Sequence, residues 1–182
     1  LESDASNMVR LILGDGENWH PIAAASLREW FSGGILKQDP ESAIYLYQHR
    51  FTLGGKTKTR LGFVALLKLA DRSAKEVLPH ERTFEGPKAD RLKLLKATSA
   101  NLEPIFLLAT DPEGVIRKTL AECLPSLEAE VTDPKQVTHA LGRITDPAKI
   151  ETLQKAMAGQ KVYVADGHHR YETSQNYRDW RR

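Results

Sequence analysis

A single cysteine, Cys123, stands in 182 residues, so neither an internal disulfide nor a zinc site built from several thiolates is possible within this chain. Its neighbours Ile116, Leu120 and Leu124 recur at helical spacing, which reads as buried filler rather than a nucleophile. Charge excess is missing too. Lys and Arg number 26 against 24 Asp and Glu, and no helix-turn-helix signature is visible, so direct nucleic-acid binding is not expected. No apolar run nears the length of a bilayer-spanning helix, and no membrane partner is expected. No secretory signal is visible, and the cytoplasm is the expected location. Gly54-Gly-Lys56-Thr57 lacks P-loop spacing, and neither a G-x-S-x-G elbow nor an H-x-x-x-H pair occurs. Repeats and low-complexity tracts are absent. What remains is a chain 41% hydrophobic and long enough to bury a real core.

The apolar run Met8–Leu13, ended by Gly14-Asp-Gly16, predicts a strand and turn. Ile22, Ala25, Leu27, Trp30 and Phe31 predict a helix stopped by Gly33-Gly34. Ile44–Leu53 alternates and is followed by Gly54-Gly55 and a second β-like run, Thr57–Leu69, which together predict a hairpin with Tyr45, Tyr47 and Phe51 packing on the sheet. Leu78–Phe84 reads as an ordered loop, Pro87 opens a helix through Leu95, and Pro104–Ala109 reads as a buried strand. A helix over Val115–Leu124, β structure over Ala129–Ile144 with a turn at Asp133-Pro134, and a helix from Asp146-Pro147 to Ala158 follow.

Asp166-Gly-His-His-Arg-Tyr-Glu172 carries the densest chemistry. The apolar run Val162–Ala165 precedes it, and a polar stretch free of Gly and Pro, Thr173–Trp180, follows, so it reads as strand, tight turn and helix. Gly167 supplies the freedom the turn needs. A helix start presents unpaired N–H groups and the positive end of its dipole, which attract anions. Arg170 adds a planar fork suited to phosphate or carboxylate, and His168 and His169 add imidazoles, the side chain whose ordinary pKa lies nearest neutrality. The plainer reading is a surface turn in which Asp166 caps the helix while Arg170 and Glu172 are solvated.

A second cluster, His80-Glu81-Arg82-Thr83 with Lys88, Asp90 and Arg91 after it, places acid, base and cation beside Pro79 and Pro87. A solvated connector is the plain alternative; a loop held in one shape is where catalytic residues concentrate. The late cluster is rich in cations and the early one offers Glu81 as a carboxylate base. Together they form a phosphate cradle with a proton acceptor, the requirement of phosphoryl transfer to a hydroxyl. His80, His168 and His169 with Glu81 or Asp166 are a rival metal set. Mg²⁺ arriving on substrate phosphates needs only one or two carboxylates and suits these residues better.

Leu78-Pro-His-Glu-Arg-Thr83, Pro87-Lys-Ala-Asp-Arg-Leu92, Ala100-Asn-Leu-Glu-Pro-Ile-Phe106, Ile144-Thr-Asp146 and Ala165-Asp-Gly-His-His-Arg-Tyr-Glu-Thr173 resemble the bacterial and archaeal family catalogued as domain of unknown function 1015. Members of that family are longer, so the resemblance implies an internal fragment of a longer protein, truncated at both ends. The order His-Glu, downstream Arg, Pro-Ile strand, then strand–DGHHR–helix is also similar to the ParB/sulfiredoxin-like superfamily, which includes partition CTPases, sulfiredoxins and free-serine kinases. That resemblance implies Glu81 as base, with His80 and His168 beside it. It also implies Asp166, Gly167, His168, His169 and Arg170 around nucleotide phosphates (ATP, ADP or CTP, with Mg²⁺), and Arg82, Lys88 and Arg91 are the nearby cations available to join them. The longer stretch between Pro104-Ile105 and DGHHR departs from the small kinases and leaves the substrate open.

The expected fold is α+β: a hairpin-rich subdomain over 1–76, then a mixed-sheet ParB/sulfiredoxin-like core over 77–182 with an insertion at about 111–160, ending in strand–DGHHR–helix. The expected function is a nucleotide-dependent phosphotransferase or nucleotide hydrolase acting on a small hydroxyl-bearing molecule. The alternatives are a non-catalytic nucleotide-sensing or DNA-partition-related module and a structural domain with an inert loop.

Overall fold

The computed structural model describes residues 4–14, 16, 18–71 and 73–182. The protein is α+β, with one antiparallel sheet and a second sheet that contains a parallel pair. Its contacts do not divide the chain in sequence order at residue 76. Leu1–Gln38, Leu69–Leu108 and Lys161–Arg182 form one compact unit, and Asp39–Lys68 with Ala109–Gln160 form another.

In the first unit, α1 (Val9–Ile12) and α2 (Trp19–Ser32) lead into β3 (Val77–Leu78), α3 (Glu85–Thr98), β4 (Phe106–Ala109), β7 (Val162–Asp166) and α6 (His168–Arg181). Met8–Leu13 is therefore a short helix and not the expected strand. Asn7 Oδ1 accepts the Val9 N–H at 3.0 Å, a local helix-starting bond that competes with extended backbone. Only Leu11 of that helix is buried, joining Trp19, Ala23, Leu27, Trp30 and Leu94 in one core. The turn expected at Gly14–Gly16 includes Asp15, which lies outside the described residues. On α2 the buried stripe is Trp19, His20, Ala23, Ala24, Leu27 and Trp30, while Ile22 and Phe31 face outward. This rotation from the expected face follows from a helix that begins at Trp19 and presents its i, i+4 neighbours to the core.

The three strands run in the order β3-β7-β4, with β7 central and parallel to β3. Val162 and Val164 are buried while Tyr163 is half exposed, the alternation of a strand in a sheet. β4 is shorter than expected and not buried. It lies at the sheet edge, where Phe106 and Leu108 stay exposed. Between β7 and α6 the chain turns at Gly167, whose φ of +92° disfavours any L side chain; a Cβ there would also lie 3.0 Å from the Arg170 guanidinium.

The second unit is a four-stranded antiparallel sheet, β2-β1-β6-β5, with β1 Ile44–Leu53, β2 Lys56–Val64, β5 Leu127–Thr132 and β6 Thr138–Ile144. Helices α4 (Val115–Glu122) and α5 (Pro147–Met157) contribute Leu120 and Leu153 to a core with Ile44, Leu46, Cys123 and Ile144. The hairpin turns at Gly54-Gly55, and β2 ends at Val64 rather than Leu69. Tyr47 and Phe51 pack on the sheet: the Tyr47 hydroxyl meets His139 Nδ1 at 2.6 Å, and the Phe51 ring lies against His49. The hairpin joins residues 109–160 because β1 pairs along its length with β6, from Ile44↔Ile144 to Arg50↔Thr138.

Gly142 in β6 makes a sharp prediction. A Cβ at this position would lie 2.0 Å from the Ser126 carbonyl oxygen and 2.8 Å from Leu127 Cα, beside the bulge that shifts register between Leu127 and Ala129. Backbone cannot yield as a side chain can. Gly142→Ala should lower stability by about 1–3 kcal/mol, the usual cost of overpacking, read from the urea midpoint by circular dichroism. An unchanged midpoint would show that β5 moves aside freely.

Candidate functional site

The loop after β3 and the start of α6 meet in the first unit, although 88 residues separate His80 from His168. His168 is buried. Its Nε2 accepts the His80 backbone N–H at 3.3 Å, which leaves the ring proton on Nδ1. That nitrogen faces Glu81 Oε2 at 3.5 Å. The His80 ring stands edge-on to His168, with its Nε2 3.6 Å from Glu81 Oε1. Glu81 thus sits between two imidazoles while its side chain stays 63% exposed, held but reachable.

His169 serves the same loop one step further on. Its Nε2 accepts the Phe84 backbone N–H at 3.0 Å, and the two rings lie nearly parallel. The adjacent histidines point in different directions, and each accepts a loop N–H, fixing the loop against α6. A third tie comes from Glu172, one helical turn beyond His168. Its Oε2 accepts from Thr83 Oγ1 at 2.7 Å and from Lys88 Nζ at 3.0 Å. Burial pushes the Glu172 carboxyl upward, but the bonds from Thr83 and Lys88 and the nearby Lys88 charge outweigh it and hold the group below its ordinary value.

These ties shape a cavity of about 250 Å³ lined by Glu81, Pro87, Arg91, Glu103 and the turn Asp166 to Arg170. No side chain caps α6, so Asp166 does not act as its cap, and the first residues of the helix, His168 to Arg170, line the cavity. Asp166 is instead bound by Arg170, whose guanidinium also donates to the Pro104 carbonyl. Arg91 also lines the cavity, 3.3 Å from a Glu103 carboxylate oxygen and donating to the Ile12 carbonyl at 2.8 Å. Three carboxylates therefore face two guanidiniums, both already partnered.

Of the residues expected at the site, Glu81, Arg91, Asp166, Gly167, His168, His169 and Arg170 line one cavity, and His80 adjoins Glu81. Lys88 and Arg82 do not line it. Lys88 is held between Glu85 and Glu172, which raise its pKa above the ordinary lysine value, and Arg82 is exposed. Among the described residues no group of three or more His, Cys, Asp or Glu side chains is placed to hold a metal ion. Nor is any helix among them long and apolar enough to cross a membrane.

A family model described as "Protein of unknown function (DUF1015)" matches residues 1–182. The chain belongs to the DUF1015 family. No curated protein and no solved structure matches it. Within this DUF1015 chain, sequence reasoning passed over Glu103 and assigned Glu172 no role. Glu172 did carry a signal, since it stands four residues from His168 and so shares its helical face.

Glu172 also gives this DUF1015 site an acid sensitivity. A carboxyl whose folded pKa lies below its unfolded value contributes stability above the unfolded value, and loses it as pH falls through the folded value. Wild type should therefore melt above Glu172→Gln at neutral pH, and the margin should narrow as pH drops below the ordinary glutamate value of 4.5. A margin constant from pH 7 to pH 3 would assign Glu172 no ionic role.

Proposed function

We propose that this DUF1015 chain holds the phosphate end of a nucleotide (ATP, ADP or CTP, with Mg²⁺) and transfers a phosphoryl group to a small hydroxyl-bearing molecule or to water, with Glu81 as general base. One observation carries the reading: an exposed carboxylate, oriented by the His168 ring N–H at 3.5 Å, shares a cavity with the uncapped start of α6 and with Arg91 and Arg170. In the transfer, the acceptor oxygen bonds to phosphorus as its proton passes to Glu81. The bond from phosphorus to the leaving oxygen breaks, and its electron pair stays with the leaving phosphate. The helix start and the remaining guanidinium N–H groups would stabilise the charge on the transferring group. The motif order shared with the ParB/sulfiredoxin-like superfamily supports the same roles.

Charge balance favours a metal-bearing phosphate over a bare anion, because Glu81, Glu103 and Asp166 outnumber Arg91 and Arg170. One or two of those carboxylates would hold Mg²⁺, which supplies neutralisation of phosphate charge.

Thermal shift of the full-length protein with ATP, ADP and CTP, with and without Mg²⁺, tests the reading. A ligand at 100 times its Kd adds about 2.7 kcal/mol of apparent stability. Stabilisation that requires Mg²⁺, followed by release or transfer of phosphate, is the expected result. Stabilisation without turnover would make the protein a nucleotide sensor, and no stabilisation by any nucleotide would remove the proposal.

A further inference from the structure

We infer that Phe84, whose ring neighbours the cavity-lining His169, is the platform on which the base of the bound nucleotide stacks. The inference rests on the nucleotide reading above and adds a subsite to it. It begins from size. Pockets that enclose a whole drug-sized ligand hold roughly 300–1,000 Å³, whereas this cavity holds about 250 Å³. The phosphate end with its ion would take up most of that space, so ribose and base would extend beyond it. The neighbouring groove, which shares Arg91, Glu103 and Arg170 with the cavity, holds only about 50 Å³ and cannot take a nucleobase.

Phe84 offers a ring suited to the task. Phe84 is 70% exposed. Its ring lies nearly parallel to that of His169, 20° between planes and 6.1 Å between centroids, and His169 itself lines the cavity. The ring is also held in place. Its residue sits in extended backbone immediately before α3, and its N–H is bound by His169 Nε2 at 3.0 Å. A platform fixed before the ligand arrives loses little freedom on binding. Trp180, also exposed in this unit, offers no comparable face, since Tyr177 and Lys96 already lie against its ring. Every base presents a π-face, so a stacking platform tolerates different bases and leaves the choice between adenine and cytosine weak.

Isothermal titration of the full-length protein with MgATP and with Mg-tripolyphosphate separates this inference from the reading beneath it. Phe84→Ala should weaken MgATP binding by about 5- to 150-fold, the loss of one base–aromatic stack, and leave tripolyphosphate affinity unchanged. Phe84→Trp should retain MgATP binding. Unchanged MgATP affinity in Phe84→Ala would overturn the platform while the phosphate cavity stands. Equal loss for both ligands would overturn it as well, showing that the substitution merely disturbs the loop. Failure of wild type to bind either ligand would remove the nucleotide reading itself.

Discussion

Glu81→Gln should keep nucleotide affinity within a few-fold of wild type and lower turnover by about 10²–10⁴-fold, the usual consequence of losing a positioned general base. The amide keeps the size of the side chain and an acceptor oxygen for the His168 ring N–H, which faces it at 3.5 Å, so the loop should hold its shape. What disappears is proton acceptance. Steady-state kinetics beside direct nucleotide titration would read both quantities. If Glu81 holds Mg²⁺ instead, the Gln variant should need more metal, and added Mg²⁺ should restore part of its rate. Wild-type turnover in Glu81→Gln at ordinary Mg²⁺ would place the base elsewhere.

Arg170→Ala should behave differently, losing affinity as well as rate. A hydrogen bond to a charged group contributes about 1.5–3 kcal/mol, so nucleotide binding should weaken by at least tenfold. The guanidinium also ties Asp166 to the Pro104 carbonyl, joining the turn to the segment before β4. The variant should therefore unfold at lower urea than wild type. Arg170→Lys reaches one of these partners but not both, and should fall between, because an ammonium lacks the planar fork. Equal affinity for nucleotide in wild type and Arg170→Ala would show that Arg170 is wholly a structural tie. Comparison with Asp166→Asn, which loosens the same tie and leaves the guanidinium free to meet phosphate, would confirm the assignment.

Local signals carried much of the fold. The alternation of Ile44–Leu53 and its Gly54-Gly55 turn gave the hairpin, and Asp146-Pro147 gave the start of α5, where Asp146 accepts the Ala148 N–H at 2.9 Å. Cys123 is buried, as its apolar neighbours indicated. Signals that depend on distant partners were not legible. Nothing near Ile44 says that it will lie opposite Ile144, so the grouping of 39–68 with 109–160 has no local trace. At Met8–Leu13 an apolar run too short to show a period was settled by one Asn7 bond. In the site, residue types marked the two clusters without saying which side chains would line the cavity. Lys88 is taken by Glu85, an i, i+3 partner visible in the sequence, and by Glu172, which became its neighbour only through folding.

The division of the first unit into three stretches of chain has a consequence for how the protein is made. Residues 39–68 and 109–160 can complete the second unit before β7 and α6 have left the ribosome. The His80–Phe84 loop, by contrast, waits for acceptors that are encoded 85 to 88 residues later. At roughly 5–20 residues per second, that wait lasts about 4–18 s. Throughout it the loop has no template, and Glu81 has no imidazole to orient it from α6. The loop therefore takes its ordered form only once α6 has been made.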